Sequence, residues 1–352
     1  MTRADLLLGV LWLGLTLYTL LGGADYGAGV WHLLAGRPRA ADGVRQAGGA
    51  GQTGGAGRAG RLRDLVEHTI GPVWEANHVW LIFVIVLFWT AFPAAFAAFA
   101  STLYIPLTLV ALGVIGRGAT FAFRKATDVD WQRRAYGLVF GISSVLTPFV
   151  LGTIAGGLAS GRVPPGIGAG DTLTSWLNPA SVYCGLLAVG SCAYLAGVYL
   201  TGDAAREGAA DLADAFRRRS LGTGLVVGAV ALAGLAVLRR DAPALVHGLT
   251  HRGLPAVVAS LLAGLASIVL LLQRRYWPAR VTAAVTVAAL LWGWGVAQYP
   301  VLLYPDLTVA AASAQPTVLG AVLGTLAVSA VLLFPALGWL LVLFQRRGRA
   351  QE

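Results

Sequence analysis

Apolar residues run along this chain in blocks of about twenty, parted by short polar breaks. Nine blocks are legible, at about 5–34, 70–97, 101–123, 134–160, 178–201, 220–238, 254–273, 279–299 and 317–344. A helix of about twenty apolar residues matches the hydrocarbon thickness of a bilayer. The pattern therefore predicts an all-α integral membrane protein. It would have about nine transmembrane helices in bundles, forming a single polytopic domain over residues 1–352. Ten-residue alternating segments, the mark of a membrane β-barrel, are not found. Glycine and proline interrupt several blocks, as membrane helices tolerate. The Phe92-Pro93 step predicts a kink in the second. The first block is too long for a signal-peptide core and has no small-residue cleavage site, so it reads as a permanent helix.

Composition agrees: 57% of the residues are hydrophobic and 12% charged, against about a quarter charged in soluble chains. The net charge of +10 does not point to nucleic acid, because the basic residues sit in short breaks between blocks. With nine spans, twenty arginines and lysines fall on the carboxyl-terminal side and five on the other, with Arg117 inside a span. That asymmetry predicts an amino terminus outside and a carboxyl terminus in the cytoplasm. Adding or dropping a span would scramble it. Residues 36–60, rich in Gly and Arg and nearly devoid of apolar side chains, predict a flexible cytoplasmic loop. Cys184 and Cys192 lie eight residues apart on one apolar helix, about 12 Å along its axis. That is too far for a disulfide.

Ionisable groups at bilayer depth are costly and are usually in use. Asp25 falls in the cytoplasmic half of the first span, Glu75 and His78 at the start of the second, and Arg117 near the cytoplasmic end of the third. Topology alone brings these four to similar depth. Glu75 and His78 are three residues apart and share a helix face. The same stretch carries Trp74, Asn77 and Trp80, and Arg124 marks the third span's boundary. Three chemistries fit. Asp25 and Arg117 could form a structural ion pair while Glu75 complements a helix start at Pro72. Asp25, Glu75 and His78 could form a proton path from the cytoplasm. A metal site has too few ligands in Glu75 and His78, because His32, His68, His247 and His251 lie in loops or at span ends. No phosphate loop, nucleophile elbow or zinc-helix motif is present.

These residues carry a resemblance. The stretch Tyr18 to Gly29, with Gly23, Asp25, Gly27 and Gly29, resembles the first-helix motif Y-x-x-x-D-G-F-D-x-G-x-G of subunit II of the cytochrome bd-type (cyanide-insensitive-like) quinol oxidases. Pro72 to Leu81 matches that family's P-V-W-D-G-N-E-x-W-L. Trp89 to Pro93 echoes its F-A-A-F-P, and Arg117 to Arg124 its R-G-x-A-F-E-F-R. Gly152 to Gly161, then Gln298-Tyr299-Pro300 and Leu307-Thr308, continue the match in order along nearly the whole chain. The departures are Gly22, His78 and Ala122, where the family has acids, and Glu75, where its acid is shorter.

The resemblance implies the non-haem-ligating subunit II of a terminal quinol oxidase in a bacterial cell membrane. Its partner would be a haem-bearing subunit I, forming a heterodimer that couples quinol oxidation to reduction of O2 to water. No catalytic residue and no cofactor would belong to this chain itself. Haems b and d, or b alone, would lie in subunit I. Membrane lipid, a quinone and a small accessory subunit are further expected partners, and nucleic acid is not. The resemblance gives this chain support of subunit I and a cytoplasmic proton path through Asp25, Glu75 and His78. Arg117, Arg124, Trp74, Asn77 and Trp80 would serve ion pairing and packing. His78 is expected to be the chain's one buried histidine, without a second axial partner at its depth. The competing class is a proton-coupled transporter or a scaffold membrane protein without a redox role.

Overall fold

The structure, a computed structural model, describes residues 2–34, 61, 74–124 and 129–349. The loop expected at 36–60 lies outside the described residues. The chain enters as α1 (Arg3–Leu34) and continues with α2 (Trp74–Ala91), α3 (Pro93–Thr102), α4 (Tyr104–Arg124) and α5 (Asp130–Ala159). Then follow α6 (Pro179–Arg206), α7 (Ala210–Asp241), the short α8 (Pro243–Thr250), α9 (Leu254–Leu272) and α10 (Tyr276–Gln298). A small antiparallel pair, β1 (Val301–Leu303) and β2 (Leu307–Thr308), precedes the one-turn α11 (Val309–Ala312) and the terminal α12 (Pro316–Arg349).

Seven of the described helices are long and apolar enough to cross a membrane, and eight spans result if α2 and α3 count together. The apolar stretch Tyr104–Thr120 of α4 is shorter. The second block departs from its expected form. Between α2 and α3 the axis bends by 119°, far more than a proline kink. Pro93 has no N–H for the preceding turn, and it drives Phe92 out of the helical region, to φ −133° and ψ 59°. The sequence shows that weakness, but packing sets the angle. Phe92 is fully buried, and the freed carbonyl of Ala91 accepts a hydrogen bond from the Ala314 N–H at 2.9 Å.

Helix α1 runs through both halves of the interior. Near its start, Ala4, Leu7 and Leu11 pack with Leu87, Phe92, Leu103 and Val150. Near its end, Ala28, Val30 and Trp31 pack with α6 and with Phe216 of α7. Trp31 Nε1 donates to the Ala193 carbonyl at 2.8 Å. The α1–α6 crossing is close because Gly27 has no side chain. A Cβ there would overlap the carbonyl of Cys192, so the two backbones touch, as small residues allow between membrane helices. Cys184 and Cys192 are free thiols on α6.

Polar contacts gather at the two ends of the bundle. At one end Arg3 donates to the Pro316 carbonyl at 3.1 Å, the Tyr299 hydroxyl donates to Asp5 at 3.2 Å, and Arg162 pairs with Asp241 at 2.6 Å. At the other end Arg61 pairs with Asp211 at 2.7 Å, Arg206 and Arg280 share Asp203, and Arg217 and Arg274 share Asp214.

Candidate functional site

Inside that second end, three helices enclose a full charge. Arg117 of α4 is 0% exposed and is the largest fully buried side chain among the described residues. Its Nη2 donates to Asp25 Oδ1 at 2.6 Å and to the Asp25 backbone carbonyl at 2.9 Å, across the α1–α4 contact. Its Nη1 donates to Ser144 Oγ of α5, and Ser144 in turn donates to the Phe140 carbonyl at 2.6 Å. The guanidinium also lies over the rings of Phe140, at 4.4 Å, and Tyr26, at 4.9 Å, whose electron-rich faces favour a desolvated cation. Gly29 leaves the space that this arrangement needs. A Cβ there would overlap Ser144 and press on Arg117 Nη1.

A buried ion pair holds only where geometry and further hydrogen bonds offset the desolvation of both charges. Here the carboxylate, the hydroxyl, one carbonyl and two ring faces surround the guanidinium. Its Nε makes no hydrogen bond among the described residues. Helix α2 closes the other side of Asp25. Asn77, 1% exposed, and His78 lie close enough to act on the Asp25 charge. The Asn77 amide makes no hydrogen bond of ordinary geometry with the described residues. The structure thus brings together Asp25, Asn77, His78 and Arg117, from three helices distant in sequence.

The other candidates stand apart. Trp80 is half-buried, edge-on to Phe83 with ring centroids 6.2 Å apart. Trp74 and Glu75 open α2 and Arg124 ends α4, but their side chains lie outside the described residues. The expectation about histidines is corrected. His32, 7% exposed, is more buried than His78, which is half-buried. The last turn of α1 is covered by α5, and His32 sits edge-on to Phe140 at 5.5 Å between ring centroids. Phe140 therefore touches both the Arg117 guanidinium and the His32 imidazole. Sequence reasoning also passed over Ser144, Tyr26 and Phe140. The adjacent hydroxyls Ser143 and Ser144, both buried in an otherwise apolar stretch of α5, were the available signal.

The arrangement gathers a carboxylate, a guanidinium, an amide and an imidazole into one polar cluster. No group of three or more metal-ligating side chains occurs among the described residues. His32 is packed against Phe140, Cys192 lies at the tight Gly27 crossing, and the chain's single methionine is its first residue.

Comparison with known proteins decides the family. The family model described as cytochrome bd terminal oxidase subunit II matches residues 4–344. The chain belongs to this family. It is 40% identical over 93 residues to the cytochrome bd ubiquinol oxidase subunit 2 of Bacillus subtilis (strain 168), a match covering 26% of this chain and 27% of that protein. A putative cytochrome bd menaquinol oxidase subunit II of the same organism is 20% identical over 358 residues, covering 99% of this chain and 97% of that one. The cytochrome bd-I ubiquinol oxidase subunit 2 of Escherichia coli (strain K12) is 27% identical over 144 residues, covering 39% and 38% of the two chains. Among solved structures, a chain of the bd oxidase from Geobacillus thermodenitrificans superposes with a TM-score of 0.70 at 25% identity, over 98% of this chain and 99% of that one. As a bd subunit II with many apolar helices, the chain is a multi-pass membrane protein.

Proposed function

We propose that this chain is the second subunit of a bd-type quinol:oxygen oxidoreductase. It would brace a haem-bearing subunit I while that partner couples quinol oxidation to reduction of O2 to water. The observation that carries this reading is the Arg117–Asp25 pair, with Asn77 and His78 beside it. It is built from the three stretches that carry the family's motifs, and it locks α1, α2 and α4 together. The haems, b with d or b alone, belong to subunit I, and the residues of this chain take no step on them.

The chain makes nine spans in this reading, with the amino terminus outside, so the cluster faces the cytoplasmic side from which protons for water are drawn. Asp25, Glu75 and His78 form the candidate entry. Asp25 is charge-balanced by Arg117, so its role is to hold polar groups in place. Glu75 and His78, on one face of α2, are the groups that hand a proton onward through water. His78 stands where the family has an acid, and an imidazole is the side chain whose charge changes most readily near neutral pH.

The test is quinol-driven oxygen uptake by the purified complex, normalised to haem and followed against pH. Glu75→Gln slows oxygen reduction with haem content preserved. His78→Ala alters the pH dependence of turnover, and Asp25→Asn gives a milder defect. Wild-type turnover and profile in all three variants would show that the groups are structural. If the chain is instead a transporter or scaffold, it purifies without a haem protein and without Soret absorbance.

A further inference from the structure

On the far side of α1 from the ion pair, a groove of about 360 Å³ opens between α1, α6 and α10. Leu20 and Tyr199 line it from α1 and α6, and Arg280, Ala284, Val285 and Ala288 from α10. Residues 280, 284 and 288 are spaced by one helical turn each, so the groove runs about 12 Å along α10 from the guanidinium. Two alanines on that line leave it open. Arg280 is fixed at its mouth. Its Nη1 donates to Asp203 at 3.0 Å, and its guanidinium sits 4.3 Å from the centroid of the Tyr199 ring. It remains 34% exposed, with donors left for an anion.

The charge around the mouth does not balance. Asp203 is shared by Arg206 and Arg280, and Asp214 by Arg217 and Arg274. Each carboxylate meets two guanidinium groups, so this end of the bundle keeps excess positive charge. We propose that the groove holds one acidic phospholipid. Its phosphate would be bound by Arg280 with Arg206 beside it, and one acyl chain would lie along Ala284 and Ala288. A neutral quinone head would leave the excess charge unmatched, and a zwitterionic lipid would match it less well. Basic pockets between membrane helices bind anionic headgroups in this way.

Lipid retention by the purified complex is the readout, and it does not depend on the proposed oxidase activity. The delipidated complex is titrated with phosphatidylglycerol or phosphatidylcholine and examined by native mass spectrometry. One phosphatidylglycerol should bind in preference to phosphatidylcholine, and Arg280→Gln should weaken that binding by about fivefold, the loss of one cation near a membrane surface. Because Arg280→Gln also leaves Asp203 with one partner fewer, Arg280→Lys, which keeps the charge, is run beside it and should keep the preference. Ala288→Phe should remove binding by filling the groove while leaving every charge in place. Equal retention of the two lipids, unchanged binding in Arg280→Gln or in Ala288→Phe, displacement by inorganic phosphate alone, or a quinone in the groove would each overturn the proposal.

Discussion

Two ion pairs of equal length sit at opposite ends of this bundle. Arg117–Asp25 and Arg162–Asp241 are both 2.6 Å long. The side chains of the first pair are 0% and 4% exposed, those of the second 39% and 13%. Distance is therefore not what separates them. Around Arg162 water shares the charge, and such pairs contribute about 0 to 1 kcal/mol. Around Arg117 water is replaced by Ser144, Tyr26 and Phe140. Each partner there has become the other's main solvent. Asp241 does have a second task, since its other oxygen accepts the Ala180 N–H at 3.0 Å at the start of α6. Both pairs join segments remote in sequence, 79 residues apart for Arg162–Asp241 and 92 for Arg117–Asp25, so burial is what separates them.

Breaking the pairs should expose this difference. Arg117→Ala leaves Asp25 buried and uncompensated, a cost of about 3 to 5 kcal/mol. We expect most of the assembled complex to be lost, as measured by haem per milligram of membrane protein, and normal yield would contradict the account of the pair. Replacing both partners, as Asp25→Leu with Arg117→Met, should restore much of that yield, because a packed apolar pair avoids the desolvation cost. Turnover per haem in that variant then separates bracing from proton supply. Recovered yield with lost turnover would assign the second role to the pair as well.

Gly29→Ala tests the same site without touching a charge. The added methyl overlaps Ser144, and overpacking of this kind costs about 1 to 3 kcal/mol. The expected result is a lower melting temperature of the complex with its pH profile unchanged. Arg162→Gln should cost no more than about 1 kcal/mol, and its small effect should shrink further in high salt. A loss comparable with that of Arg117→Ala would erase the contrast on which the comparison rests.

The smallest effect concerns Asp171, in the exposed loop before α6. Its carboxylate accepts the backbone N–H groups of Leu173 and Thr174, at 2.9 and 2.7 Å, and the Thr174 hydroxyl. These bonds favour the charged form and lower its pKa from the ordinary 3.8. The contribution is present above that value and is lost as pH falls through the lowered one. Amide protection at Leu173 and Thr174, the exchange rate relative to the intrinsic rate at the same pH, should fall in that acid range and in Asp171→Asn at neutral pH. Unchanged protection would remove the carboxylate from the account of this turn.

Much of the architecture was legible along the chain because a bilayer imposes one strong rule. A segment that crosses it must hide its backbone in a helix and present apolar side chains for about twenty residues. Positions 254–273, expected as a span, form α9 at Leu254–Leu272, and 178–201 overlaps α6 at Pro179–Arg206. The candidate polar residues were legible for a related reason: Asp25 and Arg117 stand out against apolar neighbours. The 119° turn at Phe92 was not legible, since Pro93 announces a weak point but not an angle. The angle depends on Phe92 finding a buried site and on the Ala91 carbonyl meeting Ala314, more than 200 residues later.

Sequence alone therefore determined the membrane class, the approximate helix blocks, the subunit II motifs and the list of charges that needed a partner. Tertiary structure decided which partner each charge took. It chose Asp25 and Ser144 for Arg117, placed Asn77 and His78 beside that pair, and packed Phe140 against both the guanidinium and a buried His32. It also turned Ala284 and Ala288 into the side of a groove instead of anonymous small residues. The reason is range. Hydrophobic periodicity is a property of neighbours along one helix, whereas charge compensation and cavity shape arise where helices remote in sequence meet.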